Sequence, residues 1–137
     1  MKKIFLSIAT AFIFTSCGVG LDSKKSGLSE QELIVGFEGI RLKFKNVFEN
    51  PKDFNQESLK PLNDSLAYYV DALINEFPNS KELPELLCRA GISSLNVKNG
   101  EKALEYLTFV VDSFPNHKIV PQSMYFIGRI KEVLIND

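Results

Sequence analysis

One short segment of the chain occurs twice, 37 residues apart. Phe77-Pro78-Asn79-Ser80 is followed at that distance by Phe114-Pro115-Asn116-His117. The same offset pairs Tyr69 with Tyr106, Ile74 with Val111, Pro84 with Pro121, Leu87 with Met124 and Gly91 with Gly128. A fixed period of this length is typical of arrays of helix pairs, which stack their apolar faces on one another and usually hold other proteins. The repeat therefore predicts an all-α fold.

The spacing of apolar residues predicts five helices, in which such residues recur every three or four positions. Residues 29–32 are predicted to cap the first helix, and Asn50-Pro51 to end it, because the residue before a proline disfavours the helical conformation. Pro61 and Pro84 are each predicted to lie in the first turn of the next helix. Asn99-Gly100 is predicted to be a turn in which Gly100 takes the left-handed conformation.

The start of the chain has the pattern of a secretory signal. Lys2 and Lys3 precede an apolar run, Ile4–Phe14, that is shorter than the about 20 residues needed to span a bilayer. Phe14-Thr15-Ser16-Cys17 follows and resembles the lipobox of bacterial lipoproteins, in which the cysteine is lipidated. An ordinary secretory signal and an uncleaved membrane anchor are the alternatives. The predicted division is a signal peptide at residues 1–16, a lipidated tether at 17–28 and a helical domain at 29–137.

The lipobox resemblance also implies a location. Each CH₂ of an acyl chain buried in a membrane contributes about 0.8 kcal/mol, so several chains on Cys17 would anchor the protein stably. Gly18 follows the cysteine, whereas many lipoproteins retained in the inner membrane have an aspartate there. The resemblance therefore implies a lipid anchor in the outer membrane, with the periplasmic face favoured over the cell surface.

Charge and cysteine content exclude some partners and cross-links. Without residues 1–16 the 16 basic and 17 acidic residues become 14 and 17, because Lys2 and Lys3 are lost, and the net charge is −3. Nucleic-acid binding needs clustered positive charge, so no nucleic-acid partner is predicted. With Cys17 acylated, Cys88 has no second cysteine and no disulfide is predicted. We interpret Cys88 as a small core or groove residue; a reactive thiol is the alternative.

Small residues and prolines at fixed places resemble the tetratricopeptide repeat. With Pro115 as the proline near the end of the second helix of a pair, Ala103 falls at that helix's small position and Gly91 at that of the first helix. Pro78 is the corresponding proline one repeat earlier. Ser94 departs from the pattern, which usually has an aromatic residue there. The period of 37 exceeds the usual length of about 34 residues and resembles the repeats of envelope lipoproteins, including the barrel-assembly lipoprotein of the outer membrane.

A longer stretch, residues 39–132, resembles a small group of tetratricopeptide lipoproteins of Bacteroidota. The motifs that carry this resemblance are Phe48-Glu49-Asn50-Pro51, Glu76-Phe77-Pro78-Asn79, Leu83-Pro84-Glu85-Leu86-Leu87 with Ala90-Gly91, and Lys102-Ala103-Leu104-Glu105-Tyr106. The resemblance implies a fold and a location and no particular activity.

The sequence contains no set of residues typical of catalysis or of cofactor binding. His117, the single histidine, lies in a predicted turn and is interpreted as a solvated residue. Metal-ligand spacings, a nucleophile elbow and a phosphate loop do not occur. The protein is therefore predicted to bind no metal or cofactor and not to be an enzyme. Asp64-Ser65-Leu66 resembles a short O-glycosylation motif of Bacteroidota, with local helix capping as the alternative.

The repeat resemblance implies a partner-binding face, because first helices of such pairs line the concave side. The implied residues are Glu85, Cys88, Arg89, Ile92, Leu95, Gln122, Tyr125, Arg129 and Glu132. Aromatic, arginine and acidic side chains together suit an extended or helical peptide, and an ordinary solvated face is the alternative.

A second predicted surface lies at the end of the array. Gly128 corresponds to Gly91, and the residues of this end face are Met124, Ile127, Gly128, Ile130 and Leu134. A terminal helix in such an array is expected to be polar on its outer face, so this face is expected to be covered. A second copy that forms a homo-oligomer, a partner helix and further residues of a longer chain are the candidates.

The leading functional hypothesis is a membrane-tethered, non-catalytic adaptor that binds another envelope protein or peptide. An accessory factor in outer-membrane protein assembly is the alternative that the repeat resemblance suggests. A small-ligand-binding or enzymatic lipoprotein is the alternative of another class, and it would need a pocket with convergent polar groups.

Overall fold

The computed structural model describes residues 25–50, 52 and 55–136, and within these it contains five α-helices and no strand. They are α1 (Glu30–Glu49), α2 (Gln56–Glu76), α3 (Leu83–Asn96), α4 (Gly100–Ser113) and α5 (Val120–Asn136). The predictions of an all-α fold and of five helices are confirmed. The predicted signal peptide and Cys17 lie outside the described residues.

Helices that follow one another in the sequence also pack on one another. α1 contacts α2, α2 contacts α3, α3 contacts α4 and α4 contacts α5, and α5 also contacts α3. Short connections make each helix run antiparallel to the one before it. The chain therefore forms the pairs α1–α2 and α3–α4, followed by α5.

The repeated Phe-Pro-Asn segment builds the same helix end twice. Phe77 and Phe114 cap α2 and α4 with φ/ψ of −134°/57° and −129°/52°, and each donates its N–H to a carbonyl oxygen four residues earlier. Pro78 and Pro115 follow directly, and a proline has no N–H with which to continue a helix. The sequence repeat is thus a repeat of backbone geometry.

Each helix pair crosses closely at a glycine. A Cβ built at Gly91 would lie 2.8 Å from Cγ of Leu107 and 3.3 Å from the carbonyl oxygen of Ala103, so the glycine allows α3 and α4 to approach. In the first pair, a Cβ built at Gly36 would collide with the ring of Tyr69. Gly91 and Ala103, the two small positions of the repeat resemblance, therefore meet at this crossing, and Gly36 lies at the crossing of α1 and α2.

Two groups of buried side chains form the core. The larger group joins α1 to α4, and its members include Leu33, Phe37, Phe44, Leu66, Val70, Leu73, Leu83, Leu87, Tyr106 and Val110. The smaller group joins α3, α4 and α5 and consists of Cys88, Ala103, Leu107 and Ile130. Tyr106 donates its hydroxyl to Asp71 at 2.8 Å, and burial together with that carboxylate raises the pKa of Tyr106.

The start of α1 agrees with the sequence analysis, and the start of α2 does not. Ser29 Oγ accepts the N–H of Glu32, whose carboxylate accepts the N–H of Ser29, so the predicted capping box is confirmed. α2 begins at Gln56, because the side chain of Asn55 caps it by accepting the N–H of Glu57 at 2.9 Å. Pro61 consequently lies inside α2, and its placement in the first turn was wrong.

The turn between α3 and α4 also differs from the prediction. Gly100 is the first residue of α4, and Lys98 takes the left-handed conformation with φ of 60°. Lys98 donates its N–H to Leu95 O at 2.9 Å and Asn99 donates its N–H to Ser94 O at 2.8 Å, which is the hydrogen-bond pattern of a Schellman motif. The Asn99 side chain caps α4, so Gly100 is already helical and cannot take the left-handed conformation. The left-handed residue is therefore Lys98, before the cap.

Candidate protein-binding surfaces

Charged side chains of the predicted concave face form ion pairs with residues outside that predicted set. Arg89 on α3 forms ion pairs with Glu38 on α1 at 2.5 Å and with Glu85 at 3.6 Å. Glu85 also pairs with Lys118, in the turn before α5, at 2.8 Å. The Lys118 ammonium lowers the pKa of Glu85, and the Glu85 carboxylate raises the pKa of Lys118. Glu85 and Arg89 therefore link α1, α3 and the start of α5.

The pairings of Glu38 and Lys118 could not be found from periodicity. Glu38 lies 51 positions before Arg89, which is not a multiple of the 37-residue period. Lys118 matches Lys81 at that period, but the match does not indicate its pairing with Glu85. Glu38 and Arg89 meet because α1 and α3 both pack on α2.

An apolar groove lies where the end of α3, the start of α4 and α5 meet. Its volume is about 660 Å³, and it is lined by Leu95, Lys98, Gly100, Tyr125, Phe126, Arg129, Ile130 and Val133. Arg129 also approaches Glu132 at 3.9 Å on the exposed side of α5. The groove brings together Leu95, Tyr125 and Arg129 from the predicted concave face, whereas Ile92 packs on the core beside it. Gln122 and Glu132 are exposed on α5 outside the lining.

Cys88 is not part of an accessible surface, which corrects its assignment to the concave face. Its exposed fraction is 1%, and it packs with Ala103, Leu107 and Ile130. Burial raises the pKa of the thiol, and a hydrogen bond with Ser123 lowers it to a smaller extent. The position faces inward because α4 and α5 both pack against this side of α3.

The predicted end face combines residues from two sides of α5, and it needs correction. Ile130 is buried and Ile127 is half-buried, and both pack on the smaller core group. Met124 and Gly128 are exposed on a neighbouring side, because at about 100° per residue they point roughly 110° around the helix from Ile127 and Ile130. The side chain of Leu134 lies outside the described residues.

A second cavity marks where the chain enters the domain. It is lined by residues 25 and 26 together with Tyr68, Asp71, Ala72, Asn75, Glu76 and Phe77 of α2 and its cap. Ser26 donates its N–H to the Glu76 carboxylate at 2.8 Å, and this bond lowers the pKa of Glu76. The segment before α1 is thus held at the C-terminal end of α2.

The remaining candidates have local partners. His117 Nδ1 accepts the N–H of Ile119 at 3.3 Å within the turn, and Ser65 donates its hydroxyl to the carbonyl oxygen of Pro61 at 2.8 Å inside α2. Within residues 25–50, 52 and 55–136, no group of three or more His, Cys, Asp or Glu could hold a metal ion. None of the described helices has the length and apolar composition to cross a bilayer.

Comparison of the chain with family models, with curated proteins and with solved structures finds no match. A function for the groove and for the exposed side of α5 must therefore be inferred from the chemistry and geometry of their own residues.

Proposed function

We propose that this protein is a membrane-tethered, non-catalytic adaptor of the cell envelope, built from tetratricopeptide-like helix pairs. The groove between α3, α4 and α5 carries this proposal. Its lining is mainly apolar, and its two cations, Lys98 and Arg129, are exposed and form what we call its rim. Such a surface suits a peptide segment with an apolar anchor and nearby acidic residues, because the anchor loses contact with water while the charges stay at the solvated edge.

The chemistry of the groove supports binding over catalysis. The described lining consists of apolar residues, two cations and one phenol, with no carboxylate, thiol or imidazole. General acid–base catalysis needs a group that exchanges protons near the working pH, and nucleophilic catalysis needs an activated nucleophile. Lysine and arginine on an open rim are better suited to attract an acidic partner than to transfer protons.

The position of the groove suits a protein tethered at residue 17. The chain enters the domain beside Glu76, at the C-terminal end of α2, whereas the groove lies at the C-terminal end of α3. Because α2 and α3 are antiparallel, the two places are separated by about 20 Å, the length of the 14-residue α3. We propose that Cys17 anchors the chain in the outer membrane, on the periplasmic side, and that the groove faces away from the lipid.

A small apolar anion is the second candidate ligand. A volume of about 660 Å³ falls within the range of ligand pockets, about 300–1,000 Å³. The cationic rim and mainly apolar lining would suit a fatty acid as well as a peptide. If the groove binds a peptide, assembly of outer-membrane proteins is one process in which the protein would act as an accessory factor.

Two matched valines separate these possibilities. Val133 lines the groove with 59% of its surface exposed, and Val35 lies on α1, away from the groove, with 60% exposed. The full chain, Val133→Asp and Val35→Asp would be purified from membranes of the producing cells after cross-linking, and bound material identified by mass spectrometry. A polypeptide kept by wild type and Val35→Asp and lost by Val133→Asp would support the adaptor.

Other outcomes point elsewhere. A fatty-acid-sized molecule lost selectively by Val133→Asp would favour the ligand-binding alternative. Equal recovery of all bound material by the Val133→Asp and Val35→Asp variants would remove the groove as the binding surface.

A further inference from the structure

One side of α5 has apolar and small residues where α3 packs on α4, and no helix of the described residues packs on it. We call Met124, Tyr125 and Gly128 the Gly128 surface. At the 37-residue offset these residues correspond to Leu87, Cys88 and Gly91 of α3, which are all buried. Met124 and Tyr125 are 58% and 61% exposed, and a Cβ built at Gly128 would meet no described atom within 4 Å.

The α3–α4 contact shows what fits such a surface. α4 lies antiparallel to α3, with the carbonyl oxygen of Ala103 and the side chain of Leu107 beside Gly91. Ala103 and Leu107 are four positions apart and therefore lie on one face of α4. A small residue lets the backbones approach, and the leucine one turn later fills the space that the missing Cβ leaves.

We propose that the Gly128 surface is a docking site for an amphipathic helix of another polypeptide. That helix runs antiparallel to α5 and carries the α4 pattern, a small residue followed four positions later by a large aliphatic residue. The surface shares Tyr125 with the groove, whereas Met124 and Gly128 do not line it, so the proposal goes beyond the adaptor function argued above.

The described part of the chain argues against a second copy as the occupant. α4 has the required pattern, but Ala103 and Leu107 are already buried in its own molecule. The exposed stripe of α1 consists of Val35, Gly39 and Leu42, and the residue four positions after Gly39 is a lysine. On α5 itself the residue four positions after Gly128 is Glu132, so a second α5 does not present the required pattern either.

The test uses the α4 sequence as a probe, because its fit to Gly91 is known. A fluorescent peptide of residues 99–115 would be stapled between positions 101 and 105, which are exposed in α4 and lie away from Leu107. The staple is needed because isolated helices of this length are marginal in water, and circular dichroism would verify its helicity. Binding to the full-length lipidated chain in detergent would be followed by fluorescence anisotropy.

We expect saturable binding that weakens at least about tenfold, or about 1.4 kcal/mol, when Gly128→Leu fills the crossing point of the protein. Leu107→Asp in the peptide should have a similar effect, and Val35→Asp on α1 of the protein should have little. Gly128→Leu points into open space, so its Tm should not fall, which separates a binding defect from misfolding.

Three results would overturn the proposal. They are the absence of saturable binding by the helical peptide, binding that Gly128→Leu leaves unchanged, and self-association of the full chain that Gly128→Leu abolishes. The last would make a second copy the occupant. None of them would affect the groove, whose test depends on Val133.

Discussion

Alanine at Gly91 and at Gly128 should change stability in opposite directions. The two glycines occupy the same position one repeat apart, on α3 and on α5. A glycine inside a helix costs about 0.5–1 kcal/mol relative to alanine, so helix propensity alone favours both substitutions equally. Their surroundings differ, because α4 covers Gly91 and no described atom covers Gly128.

The contacts around each Cβ give the expected magnitudes. At Gly128 the methyl group meets no described atom within 4 Å, so Gly128→Ala should stabilise the protein by about 0.5–1 kcal/mol. At Gly91 it would lie 2.8 Å from Cγ of Leu107 and 3.3 Å from a backbone oxygen of α4. Leu107 is fully buried and cannot swing away, so α3 and α4 must separate. Overpacking of this kind costs about 1–3 kcal/mol, which exceeds the gain in helix propensity at most values in that range.

Urea unfolding of the full chain, followed by circular dichroism at 222 nm, measures both effects. The midpoint of Gly128→Ala should lie above that of wild type and the midpoint of Gly91→Ala below it, with unchanged m-values. A difference of about 1 kcal/mol corresponds to a Tm shift of roughly 4 °C or more for a domain of this size. A Gly91→Ala protein as stable as Gly128→Ala would show that the crossing at Gly91 is not close, and the reasoning would fail.

Further substitutions test other local features. Lys98→Gly should stabilise by about 0.5–1 kcal/mol in thermal unfolding, because Lys98 holds a left-handed φ of 60° that glycine adopts without strain; an unchanged or lower Tm would contradict this. Tyr106→Phe should lose about 0.5–1.5 kcal/mol in urea unfolding, since the buried hydroxyl donates to Asp71; a neutral substitution would show that this bond contributes nothing. The lowered pKa of Glu85 means that its pairing with Lys118 stabilises the fold above about pH 4.5 and that this contribution is lost as the pH falls below that value. Between pH 6 and pH 3 the free energy of unfolding of Glu85→Gln should therefore fall less than that of wild type. Identical slopes of this free energy against pH would refute the prediction.

The repeat and the helix stops were predictable from the sequence because their causes are local. Phe-Pro-Asn ends a helix through the missing N–H of the proline, and a capping box needs only residues 29 and 32. The two wrong assignments at helix starts, Pro61 and Gly100, arose where two local signals compete. At each of them an asparagine, Asn55 or Asn99, capped the helix, and this cap decided where the helix began.

The faces of α5 were not predictable by the same means. A period of three or four identifies apolar stripes and cannot say which of two neighbouring stripes faces the core. Ile127 and Ile130 pack inward because α3 and α4 already form a surface that they fit, whereas Met124 and Gly128 lie on the neighbouring, exposed stripe. The ion pair between Glu38 and Arg89 was unpredictable for a related reason, since it depends on two helices that are far apart in sequence.

The two ends of the described array differ in a way that helix count alone does not show. At the α1 end, Gly36 is covered by Tyr69 of α2, so the crossing glycine already has its partner within the chain. At the α5 end, Gly128 has open space around it and exposed Met124 beside it. Exposed Val35 and Leu42 on α1 surround Gly39, which also has no described atom near it, and Val35–Gly39 has the same spacing as Met124–Gly128. The two glycines differ in the repeat, because at the 37-residue offset Gly128 corresponds to Gly91, which α4 covers, whereas Gly39 corresponds to Glu76. Among the described glycines, only Gly128 therefore matches a glycine of an internal helix contact, and an added helix should extend the array from the α5 side.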